Sequence, residues 1–420
     1  MLKKIFNLKV KKKIVSVLDI GSSKICCLIA EINQQNEIKI LGVGHQVSVG
    51  FKSGFITDLR EIESCIINAV ESAEKAAGVT ISKIFVTFSG AGIKSGIVKS
   101  SIKLMSGVEE SDLSNVVRHA ISKVDRDKNE ILHYFPIEYR INESNGVTNP
   151  MGIYAESLSS TLCFVTIPSG NLFNIVNCLA RCHLDVEDII AAPYSSLYAV
   201  LTEEEIEIGV TLIDIGHTTS SYLVFRDNQL IHMGYIPIGG HHITSDIAKV
   251  LSTNYQTAER IKILHSRAVS SYSDNHKMID IPVVGLIDGD NKDIESISCA
   301  TLNQIVAARI EEIFENLKTK ISGVSFEQNL YNRVVLSGGT SQLMDIRVIA
   351  TKILNAKVRI AKPKVPDGLL KDNRVIFYSS AIGCLEHYIK KKANEEKVDS
   401  EVIKPKTLSR KIIDWMKEYI

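Results

Sequence analysis

The chain has no run of about 18 or more uncharged apolar residues, the length needed for a helix to span hydrocarbon. The lysine-rich start, with Lys3, Lys4, Lys9 and Lys11 to Lys13, precedes an apolar stretch that Asp19 and Lys24 interrupt, so it does not read as a signal sequence; it reads as a solvated tail, the alternative being a contact with an anionic surface. Charge of one sign is also missing: 49 basic side chains face 48 acidic ones, a formal net charge of +1. With only 6% aromatics, not interleaved with arginine, nucleic acid is not expected as a partner. None of the eight cysteines forms a CxxC pair, and most sit in apolar stretches, so reduced buried thiols are expected. Cys178 and Cys182 are four apart on an expected helix, but a zinc site there would need further ligands. With 420 residues, 45% of them hydrophobic, the composition fits a soluble cytosolic protein of two or more domains.

What is present is a repeated turn. Val15 to Asp19 leads through Ile20 into Gly21, Ser22, Ser23 and Lys24, and Val210 to Asp214 leads through Ile215 into Gly216, His217, Thr218 and Thr219, each followed by a returning apolar strand. Each copy reads as a β-hairpin in which glycine lets amides and hydroxyls converge on an anion while the aspartate holds a Mg²⁺-bound water. Either hairpin alone is equally compatible with an ordinary turn. Two copies in the same order mark an internal duplication. A third segment, Arg333 to Ser337 followed by Gly338, Gly339 and Thr340 and a periodic stretch with Leu343, Ile346, Ile349 and Ala350, reads as a strand-turn-helix cradle. A plain tight connection is the alternative.

In this order the three segments resemble the phosphate-1, phosphate-2 and adenosine motifs of the actin, Hsp70 and hexokinase superfamily. The resemblance narrows to the FtsA family of bacterial cell-division proteins through Ala191 to Val210, through Ile236-Pro237-Ile238-Gly239-Gly240 with Thr244 to Asp246, and through Ala258 to Lys262. It implies an α/β, actin-like fold of two duplicated RNase H-like domains around a nucleotide cleft, with an FtsA-type α+β inserted subdomain. The expected division is 14–83 plus 166–205 for the first core half, 84–165 for the insert, which serves interaction and self-association, and 206–239 plus 306–390 for the second half. Residues 240–305 form a small subdomain implied to receive the FtsZ C-terminal tail.

The resemblance also implies ATP and Mg²⁺ as cofactors. Asp19, Gly21, Ser22, Ser23, Lys24, Asp214, Gly216, Thr218, Thr219, Gly239, Gly240, Gly338, Gly339 and Thr340 are the expected nucleotide contacts, with Asp19 and Asp214 serving the metal through water. Glu259 and Lys262, three apart on one helix face, reach ribose hydroxyls in this scheme and form a surface ion pair in the bland one. The second turn departs from the family, where glycines usually precede the threonine. No residue is assigned to orient an attacking water, and weak or no ATP turnover is expected.

The charged segment 391–407 reads as a flexible linker. Beyond it, 408–420 places Leu408, Ile412, Trp415, Met416 and Tyr419 on one helical face, with Ile413 beside it, against Arg410, Lys411 and Lys417. Thirteen residues make about 20 Å of helix, too short to cross about 30 Å of hydrocarbon. The segment therefore reads as an amphipathic membrane-targeting helix lying in an anionic interface, the alternative being a helix docked on the protein's own core. With this tail, the resemblance implies a peripheral protein on the cytoplasmic face of the inner membrane at the division septum. It would form filaments with itself, anchor FtsZ and recruit later divisome membrane proteins. A pilus-assembly actin homologue and a small-molecule kinase of the same superfamily are the alternatives.

Overall fold

The computed structural model describes residues 13–90, 92–125, 127–142, 144–147, 149–282, 294–323, 332–370 and 373–397. The amphipathic segment 408–420, the linker beyond 397 and the lysines before residue 13 lie outside the described residues.

The first half opens with an antiparallel meander of β1 (Lys13–Ile20), β2 (Lys24–Ile32) and β3 (Ile38–Val47), followed by a short ribbon of β4 (Phe51–Lys52) and β5 (Phe55–Ile56). Helix α1 (Leu59–Ala77) starts where the Asp58 carboxylate accepts from the Arg60 and Glu61 amides, and it ends at Gly78 in a left-handed conformation. Its Ile62, Ile66, Ala69 and Val70 recur at helical spacing and are buried. Strand β6 (Lys83–Phe88) then pairs parallel to β1.

An insert follows, made of β7 (Lys94–Gly107), α2 (Glu110–Ser122), β8 (Asn129–Ile141), β9 (Ser144–Val147) and β10 (Tyr154–Pro168). Its strands run in the order β7-β10-β8-β9, and α2 covers them over a separate small core that includes Val116, Ala155 and Leu158. The chain returns to the first half through α3 (Ser169–Arg181) and β11 (Asp185–Ala191), which completes the sheet β11-β6-β1-β2-β3. Helices α4 (Ala192–Val200) and α5 (Glu203–Ile208) lead onward, α5 being started by a reciprocal pair of bonds between Thr202 and Glu205.

The second half repeats the plan. It runs β12 (Val210–Ile215), β13 (Ser220–Arg226), β14 (Gln229–Ile236), α6 (Gly240–Val250), α7 (Tyr255–His265), β15 (Met278–Pro282), β16 (Ile294–Ser298), α8 (Cys299–Ser322), β17 (Arg333–Ser337), α9 (Ile346–Leu354), β18 (Lys357–Ile360) and α10 (Ser379–Lys397). Its sheet order, β14-β13-β12-β17-β18, is the first sheet's order read backwards, with β12 in the place of β1 and β17 in the place of β6. The duplication inferred from two short motifs extends to the whole sheet, and the architecture is actin-like.

Three boundaries differ from the sequence expectation. Residues 84–88 belong to the first sheet and not to the insert, because Ile84, Val86 and Phe88 are buried in the main core and pair with β1 and β11. Residues 391–397 continue α10 and are not linker; Lys391 meets the buried Asp188 carboxylate at 2.7 Å. After Gly338 the chain makes a four-residue 3-10 turn, Gly339–Gln342, and the α-helix begins only at Ile346, because Asp345 takes a left-handed φ of 62°. The Arg267 guanidinium bonds the Asp345 carboxylate there at 2.7–2.8 Å.

Candidate functional site

Both hairpins close in the same way. In the first, Ile20 pairs with Ile25 and the Gly21 amide donates to the Lys24 carbonyl at 3.1 Å; in the second, Ile215 pairs with Ser220 and the Gly216 amide donates to the Thr219 carbonyl at 3.0 Å. A Cβ on Gly21 would lie 3.0 Å from the Lys24 carbonyl oxygen and one on Gly216 2.9 Å from that of Thr219, so a side chain would crowd both turns in the same way. Asp19 and Asp214 occupy the matching position near the end of each central strand, beside Thr87 of β6 and Ser337 of β17 respectively.

The turns face each other across a cavity of about 830 Å³ between the two halves. Every expected nucleotide contact lines it except Gly239. Gly239 lies behind the second turn, where a Cβ would stand 2.6 Å from the Gly216 carbonyl oxygen, so it permits close packing and does not line the cavity. The Gly240 amide donates to the Gly216 carbonyl at 2.9 Å, and the Thr340 hydroxyl donates to the same oxygen at 3.2 Å. Across the gap, the Thr218 hydroxyl donates to that of Ser22 at 2.8 Å. Gly338 has a φ of 83°, and a Cβ there would stand 2.7 Å from Asp214 Oδ1.

Charge in the cavity is arranged in opposed pairs. Burial raises the Asp19 carboxyl above its usual range, against a 2.7 Å bond from Thr87 and the nearby Lys24. Burial and the charge of Asp19 push Asp214 up to about 6. Burial lowers the ammonium groups of Lys24 and Lys262. Lys24 Nζ sits 4.9 Å and 4.5 Å above the Phe377 and Tyr378 rings. Lys262 spends its donors on Glu259 at 2.7 Å, Thr244 Oγ1 at 2.8 Å and the Gly240 carbonyl at 3.3 Å, so the pair is part of the cavity wall and not a surface ion pair. Two carboxylates disfavoured in their charged form suit a hard divalent cation, and partly desolvated lysines among hydroxyls and turn amides suit phosphate oxygens. The donor set fits Mg·ATP.

Family comparisons agree with this geometry. The model described as "Cell division protein FtsA" matches residues 211–383, and that of the "SHS2 domain inserted in FTSA" matches 90–166. Cell division protein FtsA of Agrobacterium fabrum is 37% identical over 386 residues, covering 89% of this chain and 87% of its own. That of Escherichia coli K12 is 31% identical over 417 residues, covering 97% and 96%. The chain belongs to the FtsA cell-division family.

Among solved structures, the PilM-PilN type IV pilus biogenesis complex superposes with a TM-score of 0.63 at 12% identity, covering 89% of this chain and 98% of that one. An MreB of Spiroplasma citri bound to AMPPNP gives 0.55 at 12% identity, covering 91% and 99%. These likenesses concern the fold. The SHS2 match begins after β6 and ends within β10, in accord with the insert boundary drawn by the sheet pairing.

Some lining residues of this FtsA-family chain were not singled out as contacts from the sequence. His217 shares the second turn with three that were, and Phe377 lines the cavity beside Lys24. The turn position was a legible signal for His217. Phe377, in an apolar run before α10, carried none. No helix among the described residues is long and apolar enough to cross a membrane.

Proposed function

We propose that this division protein binds Mg·ATP between its two halves, polymerises on the cytoplasmic membrane, anchors FtsZ filaments there and recruits later divisome membrane proteins. The observation that carries the nucleotide part is the paired turn: two hairpins of the same closure, each with an aspartate at the end of its central strand, opening on one cavity. Asp19 and Asp214 would hold Mg²⁺ through water, and the cation would supply positive charge that offsets the phosphates and the two buried carboxylates. Ser22, Ser23, Thr218, Thr219 and Lys24 would meet the phosphates, Gly338 to Thr340 the adenosine, and Glu259 with Lys262 the ribose side. Weak or no ATP turnover is part of this proposal.

Membrane attachment rests on the sequence of 408–420, and self-assembly and FtsZ binding rest on family membership. A short interfacial helix binds weakly, so filament formation would raise the attachment of each copy through multivalency. The test is co-sedimentation of the full chain with anionic vesicles, with and without Mg·ATP and an FtsZ C-terminal peptide. Pelleting that rises with ATP and carries the peptide along is expected. A chain that stays in the supernatant, or pellets without retaining the peptide, refutes the anchor.

A further inference from the structure

We propose that the lysine-rich start, residues 2–12, is a second membrane contact, laid on the same anionic lipid surface as the amphipathic segment 408–420. This rests on the membrane-anchor proposal and gives a partner to a segment that the anchor leaves unused.

The fold sends both ends of the chain to one pole. Strand β1 begins at Lys13 and runs toward the cavity, which Asp19 lines, while α10 begins at the cavity, which Ser379 and Ser380 line, and runs the other way. The two meet away from the cavity, where the Lys13 ammonium donates to the Tyr388 hydroxyl and lies 4.8 Å from the centre of its ring. Tyr388 is held in turn by Phe85 of β6, edge to face with ring centres 5.3 Å apart. From Tyr388, α10 continues for about 14 Å to Lys397. Residues 398–407 then span at most about 35 Å before Leu408, and residues 1–12 span at most about 40 Å from Lys13. A bilayer that takes up 408–420 beside the end of α10 lies within reach of the lysines as well.

Charge is segregated to the same two ends. Residues 1–12 hold Lys3, Lys4, Lys9, Lys11 and Lys12 and no acidic side chain, a charge of +5, and 404–420 hold five basic and two acidic side chains, a charge of +3. Since the whole chain carries +1 and these ends +8, the 391 residues between them carry −7. An anionic surface therefore repels the body and attracts the ends. The fold's own lysines at this pole already face carboxylates, Lys83 at 3.0 Å from Glu187, Lys390 at 3.1 Å from Glu203 and Lys391 at 2.7 Å from Asp188. The first segment fits lipid and not nucleic acid: it has no arginine, and Leu2, Ile5, Phe6 and Leu8 stand among its lysines as apolar groups for the interface. One short amphipathic helix binds weakly, and a basic stretch is the kind of second signal that makes such attachment stable.

The test is co-sedimentation of the full chain with phosphatidylcholine vesicles, with and without phosphatidylglycerol, over a range of salt. Replacing Lys3, Lys4, Lys9, Lys11 and Lys12 together by Gln should weaken binding to the anionic vesicles by at least about tenfold and flatten its dependence on salt. The variant should unfold at the same urea concentration as the wild type, because the substituted positions precede β1. In a chain whose single tryptophan is moved, by Trp415→Phe with Phe6→Trp, emission should shift to the blue on the anionic vesicles. The proposal is overturned if the five-lysine variant pellets with the affinity and salt dependence of the wild type, or if the tryptophan placed at position 6 shows no shift in a chain that pellets. A wild type that does not pellet with anionic vesicles at all removes the anchor proposal itself.

Discussion

Asp214→Asn separates stability from ligand binding in a way that follows from the site's electrostatics. In the folded chain, burial and the neighbouring charge of Asp19 raise the Asp214 carboxyl from its ordinary 3.8 to about 6. Because the folded value exceeds the unfolded one, the carboxyl's stabilising contribution is whole below about pH 4 and is lost as pH rises through about 6. Above that range ionised Asp214 costs up to about 3 kcal/mol at 25 °C, less whatever solvent in the cavity screens. The amide keeps the shape and removes the charge, so without added nucleotide the variant should unfold at higher urea than the wild type at pH 7.5. The gain should shrink steadily toward pH 4.5, and millimolar Mg²⁺ should narrow it by stabilising the wild type. Mg·ATP affinity should fall in the same variant, since a ligand to the hydrated cation is gone. Urea unfolding across pH 4.5 to 8, followed by far-ultraviolet circular dichroism, reads the first effect and calorimetry the second. A variant no more stable than the wild type at pH 7.5, or a difference that does not change with pH, refutes the electrostatic account.

Gly338→Ala should destabilise the chain by more than about 1 kcal/mol in urea unfolding, because φ is 83° and the new methyl would crowd Ile215 O and Asp214 Oδ1. It should also abolish Mg·ATP binding in calorimetry. Lys262→Ala leaves Glu259 in the wall without its ammonium and should cost about 1–3 kcal/mol; adding Glu259→Ala should return part of that loss in a double-mutant cycle. Trp415→Glu should abolish pelleting with anionic vesicles and leave Mg·ATP affinity unchanged, since the substitution lies in the tail beyond the nucleotide half.

Much of the fold was written in short-range pattern. The β1–β2 and β12–β13 hairpins follow from apolar strands broken at Asp-x-Gly, and α1 follows from its aspartate cap, apolar stripe and terminal glycine. Long-range pairing was what local pattern could not show. The run Lys83 to Phe88 reads as a strand in either body, and only its parallel pairing with β1 and β11 assigns it to the core. In the same way, 391–397 is poor in apolar residues, and the partner that holds Lys391 lies 203 positions earlier, at Asp188.

At the site, the residues whose place at the cavity could be anticipated were those carried by backbone and local spacing: the acids, the turn glycines and the adjacent hydroxyls. Gly239 was misplaced because a sequence shows that a glycine is needed without showing whether a ligand or a neighbouring strand comes close. Here the close neighbour is the Gly216 carbonyl. His217 was passed over for the opposite reason. Its side chain looks like a departure from a glycine turn until His241 and Tyr255, 24 and 38 residues onward, are seen to hold the ring at the cavity wall. The turn position pointed to His217 in the sequence, but that its ring is fixed at the cavity wall depends on a packed series of rings from distant segments, which only the folded chain brings together.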